Sequence, residues 1–225
     1  MASLAKLENG NLSEQVYAVI RDTLMDGRYE PGERLRISGL ASELGVSITP
    51  VREAIFRLVS EHALEMKAAT AIHVRDIAPD ELREIQFIRH FMEGESAALA
   101  ASRITPKELA ELEILQEKFR NAAAVDPEEA ALLNRQIHFA VVAAARMPLV
   151  YATVENMWVL MGPLLRTFHK TMPVRDLTSG SHKHYDLLAA LRNGDAAGAR
   201  AALQADIAWG NALIGWLEEQ RAKSD

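Results

Sequence analysis

The chain has no cysteine among its 225 residues. That excludes a disulfide framework, a thiolate metal site and a thiol nucleophile. No apolar run approaches the roughly 20 residues needed to cross a bilayer, and the opening stretch MASLAKLENGNLSEQ lacks the apolar segment of a signal peptide. The expectation is a cytoplasmic protein with no membrane part. A glycine-rich phosphate loop and a G-x-S-x-G turn are also missing, so nothing in the pattern argues for an enzyme. An excess of positive charge is lacking too: the formal net charge is −6. Residues 1–77 hold nine Lys/Arg against eleven Asp/Glu. Nucleic-acid contact there must rest on a local cluster, for which Arg34, Arg36, Arg52, Arg57, Lys67 and Arg75 are available.

What is present is apolar material, 49% of the chain, enough for buried cores in two domains. From Leu12 to about Ile77 the pattern predicts three short helices and a hairpin. Val16, Val19, Ile20 and Leu24 recur at helical spacing up to Asp26-Gly27. "YEPGERL" reads as a turn. Ser38 is placed to cap a second helix that Gly45 ends, and Pro50 to occupy the first position of a third. Val51, Ile55, Leu58 and Val59 form the third helix's apolar stripe, with Arg52 and Arg57 off it. "LEMKAATAIHVRDI" fits two short strands. Helix-turn-helix plus hairpin is a winged helix.

Beyond Pro79 helical periodicity continues almost to the end, with breaks at Thr105-Pro106, Asp126-Pro127, Met147-Pro148, Met172-Pro173 and Asn193-Gly194-Asp195. These mark six helices, at about 79–102, 106–124, 127–145, 148–170, 175–193 and 195–221. The expected architecture is mainly α: a winged helix in residues 1–77 and an antiparallel helical bundle in residues 78–225.

Several ordered stretches carry a resemblance: "GRYEPGERL", "LASELGVS" and "TPVREAIFRLVSE" in the first part, "IRHFMEGESAALAA", "NRQIHFAVVAAA" and "HYDLLAALRNGDAAGARAAL" in the second. Together they resemble the GntR family of bacterial transcription regulators, in its FadR-type branch with the all-helical FCD sensor domain. The resemblance implies that the "TPVRE" helix enters the major groove, with Ser47, Thr49 and Arg52 contacting phosphate or base and Arg36 contacting the backbone. Arg57 and Lys67 are further candidates. For Arg52 the plainer alternative is a solvated arginine paired with a nearby glutamate.

The chain departs from the family on this same surface. Ile48 stands where arginine is usual, Thr70-Ala71 where the wing tip carries Arg-Gly, and His62 where a glycine ends the helix. Isoleucine cannot make the bidentate arginine–guanine pair, worth roughly 1–3 kcal/mol of discrimination, but can pack on a thymine methyl. The outcome is either an altered operator preference, the favoured reading because Ser47, Thr49, Pro50 and Arg52 are intact, or weakened DNA binding.

In the second part Asn134 and His138 stand four apart on one helix and so face the same way. His184 and Asp206 belong to the last two helices. The resemblance implies that these four positions form the metal set of the family's metal-binding members, which use a carboxylate or asparagine and three histidines. Two imidazoles and a carboxylate suit zinc, nickel or manganese; with an aspartate for one histidine and an amide for the carboxylate, the set should hold metal more weakly. The alternative is a metal-free cavity whose histidines are merely hydrogen-bonded. Arg89 and Glu93 match the family's Arg-x-x-x-Glu and imply a carboxylate effector; the same spacing also fits a simple i, i+4 ion pair. Trp158, Met161 and Phe168 either line the pocket or are plain core. His90, His169 and His182 read as surface or helix-end residues, with His182 the nearest substitute for His184.

The expected function is a ligand-responsive repressor that binds a pseudo-palindromic operator as a homodimer and is released or retuned by a small organic acid, with a divalent metal in the helical domain or without one. The alternative is a metal- or acid-binding helical sensor whose DNA-binding head is degenerate.

Overall fold

The computed structural model describes residues 11–67, 71–123, 125–171 and 183–223, and only the backbone of Asn11, His169, Lys170 and Thr171. It divides into two compact units. The first holds the residues up to Asp76 together with Val159–Leu164; the second holds Ile77–Trp158 and the residues from Leu165 on. The sequence pattern assigns the whole helix at 148–170 to the second part, whereas its middle, Val159–Leu164, groups with the first.

In the first unit α1 (Asn11–Met25) is followed by β1 (Arg34–Leu35), α2 (Ile37–Leu44), α3 (Ile48–Ser60), β2 (Leu64–Lys67) and β3 (Ala71–Val74). Val16, Ile20 and Leu24 make the buried stripe of α1, which packs on α3 where Val51, Ile55 and Leu58 are buried. Val19 lies off that stripe, half exposed. Gly45 closes α2 in the left-handed region, at φ +66°. The Gly45 and Val46 N–H groups return to the carbonyls of Ser42 and Ala41, the Schellman arrangement that satisfies a helix's last acceptors.

Two local expectations are corrected. Arg36, extended directly after β1, is the N-terminal cap of α2, so Ser38 sits inside the first turn rather than capping it. Ser47 stands at the N-cap position of α3 without a side-chain capping hydrogen bond, and the helix begins at Ile48; Pro50 is therefore its third residue. The missing N–H still costs nothing there, because the first four N–H groups of a helix have no intrahelical acceptor.

The sheet has three strands in the order β1-β3-β2, all antiparallel. Leu64 opposes Val74, and Met66 opposes Ile72. Leu35 of β1 opposes the same Ile72 from the other side. This places Leu35, Leu64, Ile72 and Val74 in the buried layer. β1 was not expected. The turn before it, with Gly32 at φ +78°, docks on β3: Gly32 N–H donates to Val74 O and Val74 N–H to Glu33 O. Thr70, at the expected wing tip, lies outside the described residues.

The second unit contains α4 (Pro79–Arg103), α5 (Pro106–Ala123), α6 (Pro127–Ala144), α7 (Pro148–Thr171), α8 (Lys183–Asn193), α9 (Ala196–Ala208) and α10 (Asn211–Ala222). α4 to α7 each open on a proline, where the lost N–H is one the helix does not use. Asp126 caps α6 by accepting the Glu129 N–H, and Asp195 caps α9 through Gly198. Seven helices are described instead of six, because the stretch expected as 195–221 breaks at Trp209-Gly210. A Cβ on Gly210 would lie 2.2 Å from the end of the Gln86 side chain, so a larger residue there would require that side chain to move. Of the helix expected at 175–193, residues 175–182 lie outside the described part.

α4 runs along α9, α5 packs on α6, and α8 on α9. Ala97, Ala100, Ala101, Ala199 and Ala202 are buried in the joint core. Small side chains of this kind let helix backbones come close. No described helix is long and apolar enough to cross a membrane.

Candidate functional site

The N-terminal end of α3 presents Ser47, Ile48 and Thr49 to solvent, with Ile48 46% exposed. Arg52 is exposed one turn further along α3, and Arg36 is exposed before α2. Among the described residues neither Arg36 nor Arg52 makes an ion pair or a side-chain hydrogen bond. The neighbouring Glu53 instead accepts the hydroxyl of Ser13. Exposed guanidinium groups and small hydroxyls of this kind suit phosphate and base contacts.

Arg57 is placed differently. Its Nη1 lies 3.0 Å from both carboxylate oxygens of Glu14, its Nε 3.1 Å from Glu61, and its guanidinium 3.7 Å from the centre of the Tyr17 ring. Tyr17 in turn donates its hydroxyl to Glu61 at 2.7 Å. Burial and this carboxylate acceptor push the Tyr17 pKa up to about 12. Arg57 thus ties α3 to α1, its charge answered by two glutamates. Lys67, at the end of β2, lies 2.7 Å from Glu65. His62 has φ +62°, so the backbone keeps the left-handed turn for which the resemblance expects glycine.

In the second unit four helices converge. α4 supplies Arg89 and Glu93, α6 supplies His138, α8 His184, and α9 Asp206. One potential ligand atom from each of His138, His184 and Asp206 lies within 4.8 Å of the others. His138 Nε2 is 3.0 Å from Asp206 Oδ2, and His184 Nε2 is 3.8 Å from Asp206 Oδ1. The other ring nitrogens are held from behind. His138 Nδ1 donates to Glu93 Oε2 at 2.5 Å, and His184 Nδ1 donates to Gln116 Oε1 at 2.8 Å. Metal-binding histidines are commonly oriented in this way, with one nitrogen anchored so that the other faces the ion. Asn134 is half-buried one turn before His138 on α6. Gln116 was not singled out from sequence; its one signal is a polar side chain on the buried stripe of α5.

The electrostatics are tightly coupled. Glu93 is fully buried and also accepts from Arg89 Nε at 2.6 Å. Burial alone would raise its pKa, but Arg89 and His138 hold it down to about 2. Burial likewise disfavours charge on His138, yet Glu93 and Asp206 outweigh it and lift the imidazole to about 9. The Arg89–Glu93 pair is therefore a buried pair and not one on an exposed helix. Arg89 also lies 4.1 Å over the Trp158 ring, whose centre is 5.3 Å from that of His138. Phe168 packs against Trp209 and Trp216, away from these contacts, and Met161 is buried in the segment that groups with the first unit. His90 sits edge-on to Phe91. His182 and the side chain of His169 lie outside the described residues.

Comparison with known proteins agrees with both halves. Residues 12–74 match the model described as bacterial regulatory proteins, gntR family, and residues 81–208 match the FCD domain. The chain is 36% identical over 222 residues to the HTH-type transcriptional regulator McbR of Escherichia coli K12, covering 98% of this chain and 100% of that protein. It is 27% identical over 213 residues to the Exu regulon transcriptional regulator of the same organism, covering 87% of this chain and 81% of the relative. The solved structure of E. coli McbR/YncC superposes with a TM-score of 0.85 at 35% identity, over 92% of this chain and 99% of that one. These relatives are transcriptional regulators, not enzymes. The chain belongs to the GntR family of bacterial transcription regulators, pairing a winged-helix DNA-binding domain with an FCD ligand-binding domain.

Proposed function

We propose that the protein is a metal-assisted, organic-acid-responsive repressor that binds a pseudo-palindromic operator as a homodimer. The observation that carries the sensor half is the convergence of His138, His184 and Asp206, with both histidines anchored at Nδ1 by Glu93 and Gln116. Two imidazole nitrogens and a carboxylate suit zinc, nickel or manganese, and Asn134 is the fourth candidate ligand. A bound divalent ion would supply a Lewis-acidic centre for an anionic effector. Arg89 is the residue that would receive the effector's carboxylate. Glu93 is better read as positioning, since its two oxygens serve Arg89 and His138.

Charge supports this division of labour. To act as a ligand, His138 must give up a proton. Arg89, Glu93, Asp206 and the protonated His138 sum to zero; exchanging that proton for a divalent ion leaves the group with one positive charge. A buried positive excess favours an anion. For the DNA-binding half, support comes from the described winged-helix elements α1 to α3 and β1 to β3, from the exposed Ser47, Thr49 and Arg52 along the start of α3, and from Arg36 and Arg52 having no ion pair among the described residues. They argue against a degenerate head. Dimerisation follows from the same reading, since groove-reading helices act in pairs on half-sites.

The test is elemental analysis of purified protein, joined to fluorescence anisotropy with DNA from upstream of its own gene and scrambled DNA as control. The reading expects roughly one divalent ion per chain and selective binding that weakens steeply with salt. Binding should be reversed by an organic acid. Protein that carries no metal, takes none up from solution, and still responds to acids would reject the metal-assisted part.

A further inference from the structure

Trp158 sits on α7, at the end of the second unit's first stretch of that helix, and the residue is only 5% exposed. Its ring is held on two sides by the proposed sensor residues: Arg89 lies over its face, and His138 meets it edge-on. Its Nε1–H is shielded from solvent and has no acceptor among the described residues. A buried donor without an acceptor is costly, because it has lost its water and received nothing in return. Apolar residues would fill the same space without that cost. The donor therefore has a use beyond packing.

Direction restricts that use. An acceptor for an indole N–H lies in the plane of the ring, at its rim. A group bound by Arg89 lies above the ring's face. A carboxylate taken bidentately by the Arg89 fork engages that fork with both of its oxygens, so the acceptor at the ring's rim has to lie outside that carboxylate. We infer that Trp158 is the specificity-determining hydrogen-bond donor of the effector site, and that the effector is an organic acid with a second oxygen acceptor besides the carboxylate taken by Arg89. That acceptor is a hydroxyl, a carbonyl or a second carboxylate; a simple monocarboxylate does not satisfy the site. This rests on the proposed acid-responsive reading and narrows its ligand class.

The experiment uses full-length, zinc-loaded protein labelled with ¹⁵N at its tryptophan indoles. The chain has three tryptophans, so the indole region of a proton–nitrogen spectrum holds three signals. Trp158→Phe assigns the one that matters; should that variant not fold, Trp209→Phe and Trp216→Phe assign it by elimination. The probes are acetate, succinate, L-malate and citrate, with affinities from calorimetry. The expected result is a downfield shift of the Trp158 N–H with at least one of the last three acids and none with acetate. Trp158→Phe should then weaken that acid about tenfold while changing acetate less than twofold.

If an acid binds and releases operator DNA but leaves both the Trp158 signal and the Trp158→Phe affinity unchanged, the inference is overturned and the regulator reading stands. If the signal already shows a hydrogen-bonded, slowly exchanging N–H before any acid is added, an internal acceptor or a water serves the donor, and the inference is again overturned. If none of the four acids binds, this inference and the organic-acid reading fail together, while metal content and DNA binding still report on the rest.

Discussion

At the scale of single residues, the sensor cluster makes the sharpest demands. His138→Ala and His184→Ala should each abolish stoichiometric metal, read by elemental analysis after dialysis. Gln116→Leu leaves the three candidate ligands in place but removes the acceptor that orients His184. It should lower metal affinity by about 10- to 100-fold, measured by competition with a chromophoric chelator; unchanged affinity would show that His184 needs no anchor. On the DNA side, Arg52→Ala should lose roughly 1–3 kcal/mol of specific affinity, seen as a drop in anisotropy with operator but not with scrambled DNA. Equal binding would mean that α3 is not the reading helix. Ile48→Arg should shift preference toward guanine at one operator position, checked by binding to a randomised half-site. Much at this scale could be read from sequence, because His138 and Arg52 stand at fixed spacings within short motifs. Gln116 could not, since its partner His184 is 68 positions away and nothing local announces the meeting.

At the scale of elements, turns and helix contacts decide matters that side-chain chemistry does not. His62 holds a left-handed conformation that costs a residue with a Cβ roughly 1–2 kcal/mol. His62→Gly should recover part of this, raising stability by about 0.5–1 kcal/mol in urea unfolding; a loss would mean that the imidazole makes a compensating contact. Arg57 joins α3 to α1 through Glu14, Glu61 and Tyr17. Arg57→Ala should therefore lower stability yet leave the salt dependence of DNA binding unchanged. A fall of about one in the slope of log affinity against log salt would make it a phosphate contact. Most elements were visible from periodicity and from the prolines that open α4 to α7. β1 was not, because two residues show no alternation and its pairing with β3 lies outside any local window. The break between α9 and α10, at Trp209-Gly210, was missed because no proline marks it.

At the scale of the whole molecule, proton and metal compete. In the metal-free protein the lifted pKa of His138 means that the folded state binds a proton the unfolded chain releases earlier. That contribution to stability is fully present below about pH 6.5, the unperturbed value, and is lost as pH rises through about 9. Metal loading has the opposite sign, since His138 must be neutral to act as a ligand. Apparent metal affinity should rise about tenfold per pH unit up to about pH 9 and then level off, provided His138 is the proton that leaves. A flat profile in calorimetry across pH 7–9 would show that it is not. Removing metal with a chelator should also lower the melting temperature at neutral pH, because an ion that binds only the folded chain stabilises it by mass action.

By itself the sequence determined what depends on short range: the helical periodicities, the proline and glycine punctuation, the winged-helix order, the exposed donors at the start of α3, and the residue types of a metal-capable set. These follow from local sterics and from side-chain period, which a few neighbours settle. Only the tertiary structure decided which charges are already answered and which are not. Arg57 and Lys67 have carboxylate partners, while Arg36 and Arg52 have none among the described residues. Glu93 is divided between Arg89 and His138, and the Trp158 donor is buried among them. The Lys67–Glu65 pair lies within β2 and the Arg89–Glu93 pair within α4; for Arg57 and for His138 the deciding contact comes from another helix. Burial then sets the strength of each contact, by replacing water with whatever the fold happens to bring near.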